Sequence, residues 1–201
     1  MIENYECWEI AGHTVEYLDD LHQYIVDGEC LPSITQCLKF RFGDKYVGVD
    51  RGTLQKASEK GSEMHLAIQN YEEQGIESDL KELRNYKFLK SQYEWECLEC
   101  EIPVILFEDD EPIACGRVDM VANLKGQMGI FDLKRTYALD KEYLGFQLNL
   151  YRIAYKQSYG KEAEILRGIH LRDDVRKFVT IPINEDMAWG LVHEYLKVAK
   201  E

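Results

Sequence analysis

The stretch that decides the fold is GRVDMVANLKGQMGIFDLKR, residues 116–135. Apolar and polar residues alternate on both sides of a Leu-Lys-Gly-Gln segment, which predicts two strands at about residues 114–123 and 128–135. Gly126 supplies the positive φ that a tight turn requires, so Lys125 and Gly126 are the expected loop residues. The stretch therefore predicts a hairpin, and residues 139–159 after it predict a helix.

The turn also predicts which residues face one another. With a loop at 125–126, Asp119 lies opposite Asp132 and Arg117 lies opposite Lys134. Because side chains alternate between the two faces of a strand, these four share one face. The other face is apolar enough for a protein core; it comprises Val118, Met120, Ala122, Phe131 and Leu133.

Two opposed carboxylates require charge compensation. Directly opposed residues have Cβ atoms about 5 Å apart, and like charges there repel. Asp119 and Asp132 therefore predict a bound cation or one protonated carboxylate. Mg²⁺ takes one or two protein carboxylates and leaves positions for phosphate oxygens, and Lys134 lies at the edge of the pair, a composition suited to phosphodiester hydrolysis. A surface hairpin with two aspartates and a lysine is the alternative.

The composition is that of an ordinary globular protein. The 201 residues suffice for one buried core, and 45% of them are hydrophobic. We expect a single domain, 1–201, with a β extension at 1–32 and a core at 33–201. No apolar run has membrane-spanning length and the first residues lack a leader pattern, so we expect no membrane association and a cytoplasmic location. A net charge of −13 argues against tight nonspecific nucleic-acid binding and leaves local basic clusters open.

The six cysteines are expected to be reduced, since no export signal is seen. They are Cys7, Cys30, Cys37, Cys97, Cys100 and Cys115. Cys97 and Cys100 have the spacing of half a zinc or iron–sulfur site, but no second such pair accompanies them. On a strand, positions three apart point to opposite faces, so a metal role for this pair is not expected. A redox or zinc protein centred on it is a rival function.

Caps, turns and periodicity predict the remaining elements. Asp27-Gly28 predicts a hairpin turn in the N-terminal extension, and Ser33 with Gln36 predicts a capping box on a short helix. Strands are predicted at 93–107, 165–171 and 177–183, and helices at 53–75, 78–91 and 185–200 with Ser78 and Asn184 as caps. We interpret the chain as an α/β fold, a mixed central sheet flanked by helices.

The predicted helix 53–75 carries an apolar stripe that includes a histidine. The stripe comprises Ala57, Gly61, Met64, His65, Ile68 and Tyr71. A glycine inside a helix costs about 1 kcal/mol relative to alanine, which suggests that another backbone or a ligand approaches Gly61. His65 is either a satisfied core residue or a metal ligand.

Three further polar residues are candidates for the site. Glu101 lies on the strand before the hairpin, where an exposed carboxylate is the interpretation from the residues alone. Gln147 and Tyr151 are one turn apart on the following helix, so they project from one face. An ordinary amphipathic helix is the alternative for these two.

Gly116 with Asp119, Asp132 with Lys134, and Gln147 with Tyr151 follow one another on two strands and a helix. This ordered set resembles the PD-(D/E)xK nuclease superfamily, in its RecB-like and phage-exonuclease branch. Gly61-Ser-Glu-Met-His65 is similar to the Gly-x-x-x-His of the first core helix of RecB-like nucleases. Val118 replaces the proline of the eponymous motif, and Arg135 stands where relatives often have threonine.

The resemblance implies a restriction-endonuclease-like core and a deoxyribonuclease that uses Mg²⁺ or Mn²⁺. Asp119 and Asp132 would hold the metal. His65 and the carbonyl of Leu133 would complete its ligands, and Glu101 would join a second metal or orient a ligand. Lys134 would orient or activate the attacking water.

The resemblance also implies the substrate and partners. Gln147 and Tyr151 would position DNA, with Arg135 as a further contact. The expected substrate is the end of linear duplex DNA, in recombination or repair inside a bacterium or a phage-infected cell. A single-strand annealing protein and further copies of this chain are expected partners. A catalytically silent DNA- or protein-binding module is the alternative, but it should lack some of Asp119, Asp132 and Lys134.

Overall fold

A computed structural model describes residues 5–43 and 47–199 of the chain. Within them the strands are β1 (Tyr5–Ile10), β2 (His13–Leu18), β3 (Gln23–Val26), β4 (Glu29–Leu31), β5 (Trp95–Glu108), β6 (Glu111–Leu124), β7 (Gln127–Lys134), β8 (Ile165–Arg172) and β9 (Val175–Ile181). The helices are α1 (Ile34–Phe42), α2 (Arg51–Gln74), α3 (Lys81–Tyr93), α4 (Lys141–Tyr159) and α5 (Glu185–Ala199). The predicted end of the last helix, residue 200, lies outside the described residues.

The central sheet has five strands in the order β5-β6-β7-β8-β9. Its neighbours are antiparallel except β7 and β8, which are parallel and are joined through α4. Helices α1, α4 and α5 pack on one face, around residues such as Val121 and Ile130. Helices α2 and α3 pack on the other, around residues such as Met120 and Phe131. The prediction of an α/β fold with a mixed sheet between helices is confirmed.

The β6–β7 hairpin has the predicted turn. Leu124 pairs with Gln127, and the register continues to Met120 opposite Phe131. Lys125 and Gly126 both have positive φ, of 54° and 90°, as a primed hairpin turn requires.

Beyond Met120 the two strands separate, and this corrects two predicted pairs. The β6–β7 ladder ends before Asp119 and Asp132. Arg117 therefore has no partner on β7; on its other side it pairs with Pro103 of β5, and its guanidinium donates to Glu6 at 3.0 Å. The reason is that β6 continues beside β5 while β7 continues beside β8.

Most predicted helix starts are confirmed. Ser33 and Gln36 form the predicted capping box of α1, and Asn184 Oδ1 accepts from the Met187 N–H at 3.0 Å at the start of α5. Ser78 was predicted to cap the third helix, but α3 begins at Lys81 with Leu80 as its N-cap. The residues before Lys81 are extended, so the serine hydroxyl lies outside the helix.

The N-terminal extension is larger than a hairpin. It is a four-stranded antiparallel sheet in the order β1-β2-β3-β4, with the predicted turn at Asp27 and Gly28 between its last two strands. Its apolar face packs against Ile105 and Cys115 of the central sheet. The carbonyl of Pro32 accepts from the Cys115 N–H at 3.0 Å, which ties the extension to β6.

Cys97 and Cys100 do not point to opposite faces, as a regular strand would require. The pairing of β5 with β6 shifts between Cys97 and Glu99, which marks a β-bulge at Leu98. The extra residue turns the strand, and the two Sγ atoms lie 3.3 Å apart.

No helix in the described part of the chain is both long and apolar enough to cross a membrane.

Candidate metal centre

Three metal-ligating side chains from different elements converge where β6 and β7 separate. His65 of α2, Glu101 of β5 and Asp119 of β6 each offer an atom within 4.8 Å of the others. His65 Nδ1 lies 3.6 Å from Glu101 Oε1 and 3.8 Å from Asp119 Oδ1. An imidazole nitrogen and two carboxylates are a ligand set for a divalent cation such as Mn²⁺.

The strands place Glu101 beside Asp119. Cys100 pairs with Met120 and Ile102 pairs with Val118, so Glu101 and Asp119 occupy the intervening positions. Glu101 has a φ of 50°, which is uncommon for a residue with a side chain.

Val118 packs with α1 and α4, whereas Met120 packs with α2 and α3. The predicted common apolar face is therefore wrong for Val118, because β6 changes face at Asp119.

A backbone carbonyl holds the imidazole. His65 Nε2 lies 3.2 Å from the Leu133 carbonyl oxygen. If Nε2 carries the proton and donates to this carbonyl, Nδ1 is the acceptor that faces the two carboxylates. The Leu133 carbonyl, predicted as a metal ligand, therefore contacts His65, and its role as a ligand stays a prediction. Such outer contacts fix the tautomer of a ligating histidine.

Asp132 is placed apart from the three converging residues. Its side chain is 1% exposed, and Oδ2 lies 2.5 Å from Lys134 Nζ. Neither carboxylate oxygen has a hydrogen bond of regular geometry from any residue that the structure describes. Asp132 was predicted to share a metal with Asp119; its Oδ2 contacts Lys134 here, and the shared metal stays a prediction.

The electrostatics of the cluster favour an added cation. Burial, offset in part by the Lys134 ammonium and reinforced by the Asp119 charge, raises the pKa of Asp132 to about 6. Burial also raises the pKa of Asp119. For His65, burial alone would lower the pKa, but the charges of Asp119 and Glu101 outweigh it and raise the pKa to about 9. The shift of His65 reflects the negative charge of the two carboxylates beside it, whereas the shifts of the two aspartates reflect mainly their burial.

Simple counting gives the charge that would balance the site. Glu101, Asp119 and Asp132 are three carboxylates and Lys134 is one ammonium. A histidine that binds a metal gives up its second proton, so with His65 neutral in the metal-bound state two negative charges remain. A divalent cation neutralises them. The residues present therefore fit a resident Mg²⁺ or Mn²⁺.

Gln147 and Tyr151 lie together under the site, as their spacing predicted. Both are buried, and Gln147 Nε2 donates to the Tyr151 hydroxyl at 3.5 Å. A Cβ on Gly116 would lie 2.7 Å from Tyr151 Cε1, so this glycine is required for the tyrosine to pack. Burial, and then the charge of Asp119, raises the pKa of Tyr151 well above its usual value, which keeps the hydroxyl protonated.

Arg135 does not face the cluster. Its Nε donates to Glu82 Oε1 at 2.7 Å, and its guanidinium lies 3.6 Å from Asp173. Both partners lie on the side of the sheet that α3 covers. Arg135, the residue after β7, thus forms an ion pair with α3, and its contact with DNA stays a prediction.

Lys39 is a basic residue near the site that the sequence reasoning missed. It lines a cavity of about 340 Å³ together with Lys134, Phe42 and Tyr143. A second cavity of about 240 Å³ joins Lys39 to Gly116 and Tyr151, among others. The signal was present, since Thr35 and Lys39 are four residues apart and lie on the exposed face of α1.

Gly61 lies one turn before His65 without a close protein neighbour. A Cβ built there would meet no described atom within 4 Å beyond its own stretch of helix. Within the described residues, no other part of the backbone therefore approaches this glycine, and the alternative of an added ligand stays a prediction.

Comparisons with known proteins leave the family open. No family model matches the chain, and no curated protein matches it. Among solved structures, the crystal structure of SSO0001 is similar with a TM-score of 0.46 and 14% identity, over 83% of this chain and 74% of that one. A likeness at this level supports no inference about fold family or function.

Proposed function

We propose that the protein is a Mg²⁺- or Mn²⁺-dependent deoxyribonuclease of the PD-(D/E)xK type with a restriction-endonuclease-like core. One observation carries the proposal. His65, Glu101 and Asp119, from three elements far apart in sequence, meet beside a buried carboxylate–ammonium pair, Asp132 and Lys134. A structural ion pair does not require three buried or partly buried carboxylates around one histidine, whereas a metal-dependent hydrolase uses such a set as ligands.

The chain's own residues have distinct roles in this proposal. Asp119 and Glu101, with His65 Nδ1, would hold the metal, which when bound supplies Lewis-acid stabilisation of phosphate charge. Lys134 Nζ is kept protonated, since the charges of Asp132 and Asp119 overcome the effect of burial and raise its pKa. The ammonium is thus a donor that orients the attacking water and balances charge on the phosphate. Asp132 holds this ammonium at 2.5 Å.

A local basic surface supports a DNA substrate despite the net charge of −13. Lys39 and Lys134 line one cavity, and Lys39 also lines the next cavity beside Tyr151. Phosphates bound in these cavities would contact Lys39, and in the first cavity Lys134 as well. We propose linear duplex ends as the substrate, in the cytoplasm of a bacterium or a phage-infected cell. An annealing protein and further copies of this chain remain predicted partners.

The test uses end-labelled linear duplex and closed circular DNA, each with Mg²⁺, with Mn²⁺ and with a chelator. We expect metal-dependent loss of the linear substrate alone. Asp119→Asn should abolish it, and Asp110→Asn, which changes an exposed aspartate on the β5–β6 turn, should not. Cleavage of the circular substrate would indicate an endonuclease. Absence of cleavage with any metal, in folded protein that still binds DNA, would indicate the silent binding module.

A further inference from the structure

The thiols of Cys97 and Cys100 form a close pair outside the metal centre. Their Sγ atoms lie 3.3 Å apart, because the bulge at Leu98 turns both side chains to one side of β5. A disulfide has an S–S bond of about 2 Å, so the two sulfurs need to approach by little more than 1 Å. This approach requires a local shift of β5 at Cys97 or Cys100.

The pair is accessible to a small thiol reagent. Both cysteines are partly exposed. Cys100 also lines an open groove of about 560 Å³, which Trp8, Leu98 and Glu101 line as well. By contrast, Cys37 and Cys115 are buried.

The position of the pair argues against a purely structural bond. Only two residues separate Cys97 from Cys100, so a bond between them would restrict the unfolded chain very little. The pair is instead joined directly to the metal centre, since Glu101 follows Cys100. Glu101 has its positive φ of 50° and its 3.6 Å approach to His65 in the structure with free thiols.

We propose that Cys97 and Cys100 are a reversible dithiol–disulfide site, and that its oxidation weakens metal binding at the neighbouring centre. A disulfide of the glutathione class is the oxidant. One protein thiolate attacks it, forms a mixed disulfide and releases one glutathione thiolate. The second protein thiolate attacks the mixed disulfide at the protein sulfur and releases the other. Two protein S–H bonds and one S–S bond are replaced by one protein S–S bond and two glutathione S–H bonds.

The effect on the metal follows from geometry. Drawing Cys100 toward Cys97 moves the backbone that carries Glu101, and the carboxylate then loses its place beside His65 and Asp119. A displaced ligand lowers affinity, and we expect oxidation to lower the apparent Mn²⁺ affinity at least threefold. This part rests on the proposed function, whereas formation of the disulfide does not.

The experiment uses the full chain with Cys7 and Cys30 changed to serine, because both are exposed. The protein is equilibrated in reduced and oxidised glutathione buffers, blocked with an alkylating reagent and weighed intact. We expect a species two hydrogens lighter than the reduced, unalkylated protein. In peptide maps its Cys97 and Cys100 should carry no alkyl group and should be linked by a disulfide. In a variant that also carries Cys97→Ser, this disulfide species should be absent, and Cys100 should keep one glutathione because no second thiol displaces it. Full alkylation of both thiols in the most oxidising buffer would overturn the proposal.

Mn²⁺ titration of the oxidised and reduced forms then separates the two parts. Weaker binding after oxidation, restored by dithiothreitol and absent in the Cys97→Ser variant, supports the coupling. Equal binding in both forms overturns the coupling. If neither form binds Mn²⁺ but the disulfide forms, the proposed metal-dependent function fails and the redox site stands.

Discussion

The backbone N–H of Leu133 donates a hydrogen bond of 2.7 Å to Oδ2 of Asp119. The bond lies just beyond Met120 and Phe131, the last pair of the β6–β7 ladder. A side-chain oxygen therefore replaces a backbone acceptor where the strands separate. The other oxygen, Oδ1, lies 3.8 Å from His65 Nδ1. One carboxylate thus ties the two strands together and faces the metal centre.

This division of roles predicts the outcome of Asp119→Asn. The amide oxygen can still accept from Leu133, so the stability of the metal-free protein should change by no more than about 1 kcal/mol. Because the side chain no longer offers a charged ligand, Mn²⁺ should no longer stabilise the folded protein. In the wild-type protein this stabilisation is about 2.7 kcal/mol when Mn²⁺ is at 100 times its Kd. Thermal unfolding with and without Mn²⁺ measures both effects.

Asp110→Asn is the matched control for that measurement. Asp110 is exposed on the β5–β6 turn with a φ of 66°, a conformation that asparagine tolerates. If Mn²⁺ stabilises the Asp119→Asn variant as much as it stabilises the wild-type protein, the Asp119 carboxylate is not a ligand.

Lys134→Met should remove cleavage and also destabilise the metal-free protein. Asp132 is almost fully buried, and the substitution leaves its charge without the ammonium at 2.5 Å. We expect a loss of about 1–3 kcal/mol, less than for a fully buried pair because Lys134 is partly exposed and Asp132 can take up a proton. Urea unfolding should show that the double variant Asp132→Asn with Lys134→Met recovers much of the loss. Additive single effects would contradict coupling of the pair.

Gly116→Ala should disturb Tyr151. The new Cβ would meet Tyr151 Cε1 at 2.7 Å and Ile34 Cδ1 at 3.2 Å, so the ring must shift. Overpacking of this kind costs about 1–3 kcal/mol. The shift should also slow any cleavage that depends on Gln147 and Tyr151. Urea unfolding and the DNA assay are the measurements, and Gly116→Ala combined with Tyr151→Leu should regain stability but not cleavage.

Gly61→Ala tests whether a ligand approaches α2. No described atom outside this stretch of helix lies within 4 Å of the added Cβ, so the substitution should stabilise the helix by up to about 1 kcal/mol. If DNA passes close to Gly61, its affinity for the variant falls even though the protein is more stable. Unfolding curves and a DNA-binding titration on the same sample provide the two values. Unchanged DNA affinity would mean that the ligand does not approach this residue.

The buried thiols predict an alkaline limit to stability. Burial raises the pKa of Cys37 to about 11 and that of Cys115 to about 12. In the unfolded chain these thiols ionise at an ordinary pKa of about 8.5, so the unfolded state loses protons first as pH rises. The two groups should therefore cost no stability below about pH 8 and should lower stability progressively from there to about pH 12.

Alkylation followed by mass spectrometry checks this order. At pH 8 the exposed Cys7 and Cys30 should react while Cys37 and Cys115 stay protected. Reaction of the buried pair should begin only above about pH 9, together with loss of folded structure. Equal rates for all four at pH 8 would contradict the packing of α1 against β6.

The sequence by itself determined the local elements and their order. The alternation of apolar and polar residues, together with Gly126, was enough to predict the β6–β7 hairpin and its register, because a two-residue primed turn allows few conformations. Ser33 with Gln36 and Asn184 marked helix starts through hydrogen bonds within a few residues. The spacing of Gln147 and Tyr151 placed both on one helix face. All of these depend on contacts between near neighbours in the chain.

Only the tertiary structure decided which of the candidate residues meet. The end of the β6–β7 ladder separated Asp119 from Asp132, and pairing with β5 brought Glu101 beside Asp119 instead. The approach of α2 from the opposite side of the sheet added His65. The bulge at Leu98 reversed the expected orientation of the two cysteines. Strand separation, bulges and helix docking arise from packing between distant segments, which no local pattern of residues specifies.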